Sequence, residues 1–283
     1  MHAPARTPFH RKRTRVTTTR RTRIPQHRIA ETVAAELRTR ILASDDDYAL
    51  PTQDHLVKEF GVSYPSIREA IRILETEGLV TVRRGKFGGA EVHRPDRSSA
   101  AYHLGLALQG DRVTLGDLAA GLRMLEPICA AECARREDRL DVVVPALRAN
   151  VEECTALVDD GVAFTQSARE FHDLLVAFTP NATVRHVVGS LVALWSAQEE
   201  AWAEAVTRRG EYPSRDRALA AVRTHDRIVG DIAAGRAGEA ERVACAHLSA
   251  AQSVLLDRFD DGVVNASSAA ARQAIQSSQR SRE

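Results

Sequence analysis

The sequence predicts a mainly α-helical protein with a small N-terminal domain and a larger helical bundle, and three observations support this prediction. Of its 283 residues, 44% are apolar and only 5% aromatic, a mix that favours packing of Ala-, Leu- and Val-rich helices over a large β-sandwich. Apolar residues recur at helical spacing from Ile29 onward. Strand-like alternation is confined to two short segments, residues 79–83 and 90–93.

The first two helices are predicted from their apolar stripe and their end signals. The stripe of the first helix consists of Ile29, Val33, Leu37 and Ile41. The acidic run 45–47 ends it with a polar loop. The second helix is expected to begin after Thr52, a good N-cap, and to end at Gly61, a good residue for the position after a helix.

A third helix and a basic hairpin complete the N-terminal domain. Ser63 is the predicted N-cap, Pro65 is tolerated in the first turn, and Gly78 ends the helix. Its apolar stripe consists of Ile67, Ala70, Ile71 and Leu74. The two short strands that follow are joined by residues 84–89, a turn rich in glycine and positive charge. Three helices followed by a basic hairpin are the order of a winged helix-turn-helix.

The outward face of the third helix carries the candidate DNA contacts. If the apolar stripe faces the core, helical geometry leaves five residues outside: Tyr64, Ser66, Arg68, Glu69 and Arg72. Arg68 and Arg72 lie one turn apart, as a helix in the major groove requires, and arginine reads guanine bidentately. Arg84 and Lys86 on the hairpin can approach phosphates or a minor groove. The alternative is that these arginines only solvate a helix face.

Charge is distributed unevenly along the chain. Residues 1–28 hold nine of the 39 basic residues and no acid, so the remainder has 30 basic against 38 acidic residues. A basic arm suggests a polyanionic partner, and an idle disordered extension is the alternative.

The predicted organisation is a disordered basic arm (1–25), a winged helix-turn-helix (26–95), a linker with the start of the next helix (96–112), a helical domain (113–260) and a flexible tail (261–283).

The helical domain, expected to contain six or seven helices, carries a candidate metal or ligand site. His172, His225 and His247 fall on three separate predicted helices, and neutral imidazole is a standard ligand for zinc and nickel. Three converging imidazoles would leave coordination positions open for a carboxylate, which Arg123 could clamp bidentately. A metal-free pocket is the competing hypothesis. Trp195 and Trp202 are either walls of a pocket for an apolar acid or packing residues.

Several function classes lack support in the sequence. The sequence shows no secretory h-region, no apolar run long enough to cross a membrane, and no Gly-rich phosphate loop or nucleophile motif. The four cysteines are expected to be reduced in a cytoplasm, and Cys129 and Cys133 are most simply small buried residues. An enzyme using the three histidines to activate water remains an alternative.

The N-terminal domain resembles the GntR family of bacterial regulators. The matching motifs lie within residues 50–80 and read LPTQ, LV, FGVS, REAI, LE and EGLV. The resemblance implies operator contacts by Ser63, Tyr64, Ser66 and Arg68 and by Gly85 and Lys86 of the wing. Most relatives have arginine at the position of Tyr64, and Asp54 is also unusual, so the operator sequence is not transferable.

The helical domain is similar to the FCD domain of the FadR subgroup. The motifs that support this are LR and LEP around Arg123 and Glu126, EFH ending at His172, THD around His225, and AHL around His247. The resemblance implies a ligand site formed by Arg123, Glu126, His172, His225 and His247, with the three histidines as ligands of a divalent metal. Metal-binding relatives usually have aspartate one turn before the first histidine, where this chain has Ala168, which cannot coordinate.

Together these features predict a bacterial, cytoplasmic, nucleoid-associated transcription regulator. It is expected to be a homodimer that grips palindromic double-stranded DNA with two recognition helices about one DNA turn apart. A small carboxylate, either an organic acid or a fatty-acid derivative, would bind in the helical domain and alter operator binding, and the protein is expected to be a repressor. The alternatives are a three-His metalloenzyme and a DNA-binding protein whose helical domain only dimerises.

Overall fold

The computed structural model describes residues 26–44, 48–82, 90–93, 97–259 and 262–280. The chain divides into two compact units, Met1–Arg94 and Pro95–Glu283. The predicted basic arm (1–25) lies outside the described residues. Among the helices that the structure describes, none has the length and hydropathy of a membrane span.

The first unit has the element order of a winged helix-turn-helix, as predicted. It consists of α1 (Gln26–Ala43), α2 (Gln53–Phe60), α3 (Tyr64–Thr76), β1 (Val80–Val82) and β2 (Ala90–Val92). The two strands are antiparallel, with Val80 opposite Val92. The core contains the predicted apolar stripes except Ile29, which is only half-buried, and its fully buried members include Leu37, Ile41, Leu56, Ile67 and Leu74.

The turn between α2 and α3 follows from its capping residues. The Thr52 hydroxyl accepts from the backbone N–H of His55, and Gly61 ends α2 with φ +63°, a left-handed conformation that glycine adopts without steric cost. The Ser63 hydroxyl then accepts from the N–H of Ser66 at the start of α3. These caps fix where each helix ends and therefore set the angle at which α3 leaves the turn.

The second unit is built from helices and has no strand among its described residues. Its helices are α4 (Arg97–Gly110), α5 (Leu115–Leu125), α6 (Pro127–Arg135), α7 (Val144–Ala156), α8 (Gly161–Phe178), α9 (Ala182–Arg208), α10 (Arg215–Ala233), α11 (Ala237–Phe259) and α12 (Ala269–Arg280). A π-helical turn, Arg139–Val143, leads into α7. Their shared core includes Leu122, Leu147, Phe171, Leu194 and Ile228. Helices α5–α11 occupy the predicted 113–260 region.

Two segments are more ordered than the sequence analysis expected. Helix α4 begins at Arg97, so the predicted linker (96–112) is mostly helix, with Ala101 fully buried. The expected flexible tail (261–283) was wrong for most of its length, because α12 packs against α4 and α9. A short β-bridge between Thr114 and Val263 leads into it. The tail has a polar composition, but Ala271 and Ile275 form a one-turn apolar stripe that is buried.

Replacing Ile275 with alanine is expected to destabilise the protein, because Ile275 is fully buried beneath α12. Large-to-small changes of this kind cost about 2–5 kcal/mol, which urea unfolding of the full chain would measure. Gln273→Ala is the matched control, since residue 273 is exposed on the same helix. Equal unfolding midpoints for the two variants would contradict the packing of α12.

Candidate functional site

Helix α3 presents a buried apolar face and an exposed polar face. Ile67, Ala70 and Leu74 are fully buried, whereas Arg68 and Arg72 are exposed. This arrangement agrees with the sequence analysis and follows from 3.6-residue periodicity. The exposed arginines lie one turn apart, on the helix that follows the tight turn.

The two exposed arginines of α3 differ in whether their guanidinium groups are already hydrogen-bonded within the protein. Two of the three guanidinium nitrogens of Arg72, Nε and Nη2, donate to the Glu69 carboxylate at 3.1 and 3.0 Å. This hydrogen-bonded pair raises the pKa of Arg72 and lowers that of Glu69. Arg68 has no hydrogen bond or ion pair with any described residue. Its guanidinium is therefore available to an external acceptor without first breaking a contact.

Two other predicted DNA contacts, Ser66 and Tyr64, differ in their exposure. Ser66 was expected to face outward, but it is only 2% exposed and its Oγ lies 3.0 Å from Ser63 Oγ. The outward assignment of Ser66 was wrong, because the capping interaction turns this side chain into the helix start. Tyr64 is exposed and its hydroxyl donates to Asp54 Oδ1 at 3.0 Å. That hydrogen bond raises the pKa of Tyr64.

The predicted wing contacts lie outside the described residues. Arg84, Gly85 and Lys86 belong to the segment 83–89 between β1 and β2. The strands that flank this segment are described, and the N–H of Val82 donates to Glu75 Oε1 at 3.3 Å. The hairpin is therefore connected to the end of α3.

In the helical unit, the three predicted histidines converge. His172 on α8, His225 on α10 and His247 on α11 each offer a ring nitrogen, and these three atoms lie within 4.8 Å of one another. The Nε2 atoms of His225 and His247 are 2.9 Å apart. The His225 ring also stacks on Phe171, with centroids 3.9 Å apart. The sequence prediction that these histidines share one site is supported by this geometry.

Glu126 orients the first histidine. Its Oε1 lies 2.5 Å from His172 Nδ1, and the carboxylate is almost fully buried. Burial alone would lower the pKa of His172, but the charge and hydrogen bond of Glu126 outweigh burial and raise it. Because Nδ1 is engaged, Nε2 is the nitrogen of His172 that is left for a ligand.

The other two histidines are in a different electrostatic environment. Burial, together with the charge of His172, lowers the pKa of His247 to about 3. Burial and the neighbouring histidines also lower the pKa of His225 well below its usual value. Both rings are therefore neutral at pH 7, which is the form that binds a metal ion.

The donor set fits a divalent cation with three protein ligands. Tetrahedral zinc sites with three ligands and one open position are common, and a carboxylate on the second nitrogen of a ligating histidine is a typical supporting contact. The position that would carry a fourth protein ligand is Ala168, which lines the same cavity. The residues present therefore fit a three-His site that is open on one side.

The histidines open into a cavity of about 540 Å³, within the range of roughly 300–1,000 Å³ typical of ligand sites. Phe164, Trp202 and Tyr212 form its aromatic part, with the rings of Trp202 and Tyr212 5.8 Å apart. At Gly161 the Tyr212 ring packs so closely that a Cβ would lie 2.6 Å from it. Glycine is therefore required where this aromatic wall meets α8.

The arginines in the cavity lining do not include the predicted Arg123. Arg123 Nη1 donates to Gln252 Oε1 at 2.7 Å, and neither Arg123 nor Glu126 belongs to the cavity lining. The expected direct ligand contacts of Arg123 and Glu126 stay predictions, since Arg123 is hydrogen-bonded to Gln252 on α11 and Glu126 contacts His172. Arg169 lines the cavity instead, with Nη1 donating to the Ser196 carbonyl at 2.7 Å.

Sequence reasoning missed Arg169, although a signal was present. Residue 169 precedes His172 by three positions, and residues three apart share a helix face. Glu199 and Tyr212 had no comparable signal, because only the fold brings α9 and the loop after it beside α8. Of the two tryptophans, Trp202 lines the cavity and Trp195 belongs to the core.

Comparisons with known proteins agree with both units. Residues 28–88 match the model described as "Bacterial regulatory proteins, gntR family", and residues 117–250 match the FCD domain. The chain is 25% identical to the HTH-type transcriptional regulator LutR of Bacillus subtilis over 209 residues, covering 74% of this chain and 91% of LutR. It is 27% identical to the HTH-type transcriptional repressor NanR of Salmonella newport over 166 residues, covering 57% of this chain and 63% of NanR.

A solved structure shows the same fold. The GntR protein of Streptococcus agalactiae superposes with a TM-score of 0.62 at 21% identity, covering 80% of this chain and 99% of that one. The matched domains and relatives are transcriptional regulators, not enzymes, so the metalloenzyme alternative is not retained. The chain belongs to the GntR family of DNA-binding transcription regulators and carries a C-terminal FCD ligand-binding domain.

Proposed function

We propose that this protein is a repressor whose operator binding is weakened by a small carboxylate bound in its helical domain. The observation that carries the proposal is the three-His cluster opening into a 540 Å³ cavity inside the FCD domain. A cavity with convergent polar groups and apolar walls is typical of a small-molecule site. NanR, one of the relatives, is named as a repressor, which supports the proposal of a repressor over that of an activator.

The charge of the cavity favours an anion. Its described lining contains one acidic side chain, Glu199, against four arginines, Arg169, Arg217, Arg227 and Arg242. Arg242 is paired with Glu239 and Arg169 lies beside Glu200, so the excess of positive charge comes from Arg217 and Arg227. Excess positive charge around a cleft raises the local concentration of anions. A carboxylate is the simplest anion that both an arginine and an open metal position accept.

A zinc or nickel ion is part of the proposal. His172, His225 and His247 would hold it, and Glu126 would keep the His172 ring in place. When bound, the ion supplies a Lewis-acidic centre that attracts a carboxylate oxygen. In a metal-free version of the site, the 2.9 Å contact between His225 and His247 is a hydrogen bond from one ring to the other.

The assembly proposed is a homodimer acting on chromosomal DNA in the cytoplasm. Two copies of α3, each presenting Arg68, would read the two halves of a palindromic operator one DNA turn apart. A ligand that prefers one packing of the sensor helices shifts the spacing between the two copies of α3. A useful switch requires a preference of about 1–3 kcal/mol, equivalent to roughly 5–150-fold in affinity.

Operator titrations with and without acids test this function. A duplex selected from a random library by the protein serves as operator, and fluorescence anisotropy gives its Kd in the presence of acetate, citrate or benzoate. We expect at least one acid to weaken binding about fivefold or more at constant ionic strength. An operator Kd within twofold for every acid would instead support a helical domain that only dimerises.

A further inference from the structure

Besides the ring nitrogen His225 Nδ1, two buried hydrogen-bond donors on residues of the cavity lining have no acceptor within the described part of the chain. They are Arg169 Nε and Trp202 Nε1, and both residues line the cavity. The rest of the Arg169 guanidinium is held by the Ser196 carbonyl, with Glu200 Oε2 3.8 Å from Nη2. The Nε group is therefore fixed in place while remaining unpaired.

Unpaired donors of this kind need an explanation. The large majority of buried side-chain polar atoms in proteins have a hydrogen-bond partner, and a buried donor left without one destabilises the folded protein. Two such donors in the wall of one cavity indicate that the acceptors come from the molecule that fills it.

The two donors lie at different places in the cavity. Arg169 is one helical turn from His172 on α8. Trp202 belongs to the aromatic part, because its ring contacts Tyr212, whose hydroxyl lies 2.6 Å from Thr165 Oγ1. Thr165 precedes His172 by seven residues, about 10 Å along a helix axis. A ligand that contacts both the histidines and this end of α8 must therefore be extended.

We propose that the effector is an aromatic acid with a second acceptor, such as a carbonyl oxygen, remote from its carboxylate. The carboxylate lies beside His172 and Arg169, the ring packs against Phe164 and Tyr212, and the remote oxygen accepts from Trp202 Nε1. This inference rests on the proposed function, since it names the ligand class of the same site. It also makes Trp202 a specificity-determining residue.

Matched pairs of probes isolate the remote acceptor. The acids 3- and 4-acetylbenzoate carry a carbonyl oxygen at the position where 3- and 4-isopropylbenzoate carry a methyl group, and the two substituents are similar in size. Isothermal titration of the full-length protein is expected to give at least about fivefold tighter binding for an acetylbenzoate than for its isopropyl partner. Trp202→Phe, which keeps a ring and removes the N–H, is expected to reduce that ratio to within twofold.

A control variant and compact acids complete the test. Tyr102→Phe removes a polar atom from an aromatic ring on α4 outside the cavity lining, and it should keep the full acetyl-to-isopropyl ratio. Equal binding of both members of each pair, or an unchanged ratio in Trp202→Phe, overturns the inference and indicates water at Trp202.

The same titrations separate this inference from the proposed function. If citrate or malonate binds and weakens operator binding while the acetylbenzoates do not bind, the ligand class is wrong and the regulator proposal stands. If no acid binds or alters operator affinity, the carboxylate-responsive function fails and the inference fails with it.

Discussion

Arg68→Ala is expected to abolish sequence-specific DNA binding without unfolding the protein. Arg68 is the exposed arginine of α3 that has no partner among the described residues, whereas Arg72 is hydrogen-bonded to Glu69. A bidentate arginine–guanine contact contributes about 1–3 kcal/mol. A symmetric dimer would lose it in both half-sites, a total of about 2–6 kcal/mol, which anisotropy titration of the selected duplex measures.

Two further variants calibrate this loss. Arg72→Ala is expected to have a smaller effect, since binding through Arg72 competes with its bond to Glu69. Arg40→Ala removes the same charge from α1, where Arg40 pairs with Glu36 and Glu59, and it should leave specificity unchanged. If Arg68→Ala binds the selected duplex with the same Kd as wild type, α3 is not the helix that reads the DNA sequence.

His247→Gln is expected to abolish tight binding of zinc. Three imidazoles form the proposed site, and removing even an outer-shell partner of such a site typically costs 10–100-fold in metal affinity. Loss of a direct ligand should therefore raise the apparent zinc Kd by about 100-fold or more. Competition with a chromophoric chelator gives this value for the metal-stripped full-length protein.

The matched control is His186→Gln, because His186 is an exposed histidine on α9 outside the cluster. Glu126→Gln provides a graded comparison, since Glu126 contacts His172 and not the proposed ion. It should weaken zinc binding by about 10–100-fold. Identical zinc affinities for wild type and His247→Gln would exclude the three-His site and support the metal-free pocket.

Local patterns were sufficient to predict the N-terminal unit. Capping residues such as Thr52 and Ser63, and the apolar stripe of α3, specify structure over a few residues, and the structure confirms them. The exception was Ser66, for which helical phase predicted exposure. Its hydroxyl lies against Ser63 in the capped turn, so a capping interaction determined its position.

The candidate site in the helical unit was only partly predictable. His172, His225 and His247 could be grouped because imidazoles on separate helices suggested one site. The position of Arg123 outside the cavity lining was not predictable, because side-chain direction depends on packing between α5 and α11, which no local pattern encodes. The order of the tail was missed for a related reason, since a helix with few apolar residues is stabilised by its tertiary contacts and not by its propensity.

The central claim is that the helical-domain cavity and the operator are coupled. By linkage, an acid that weakens operator binding by a given factor must itself bind more weakly, by the same factor, when operator is present. The direct measurement is the Kd of the most effective acid by calorimetry, with and without saturating operator duplex. We expect the operator to raise the Kd of the acid by the same factor by which the acid raises the Kd of the operator. An acid Kd that is unchanged by the operator would contradict this coupling.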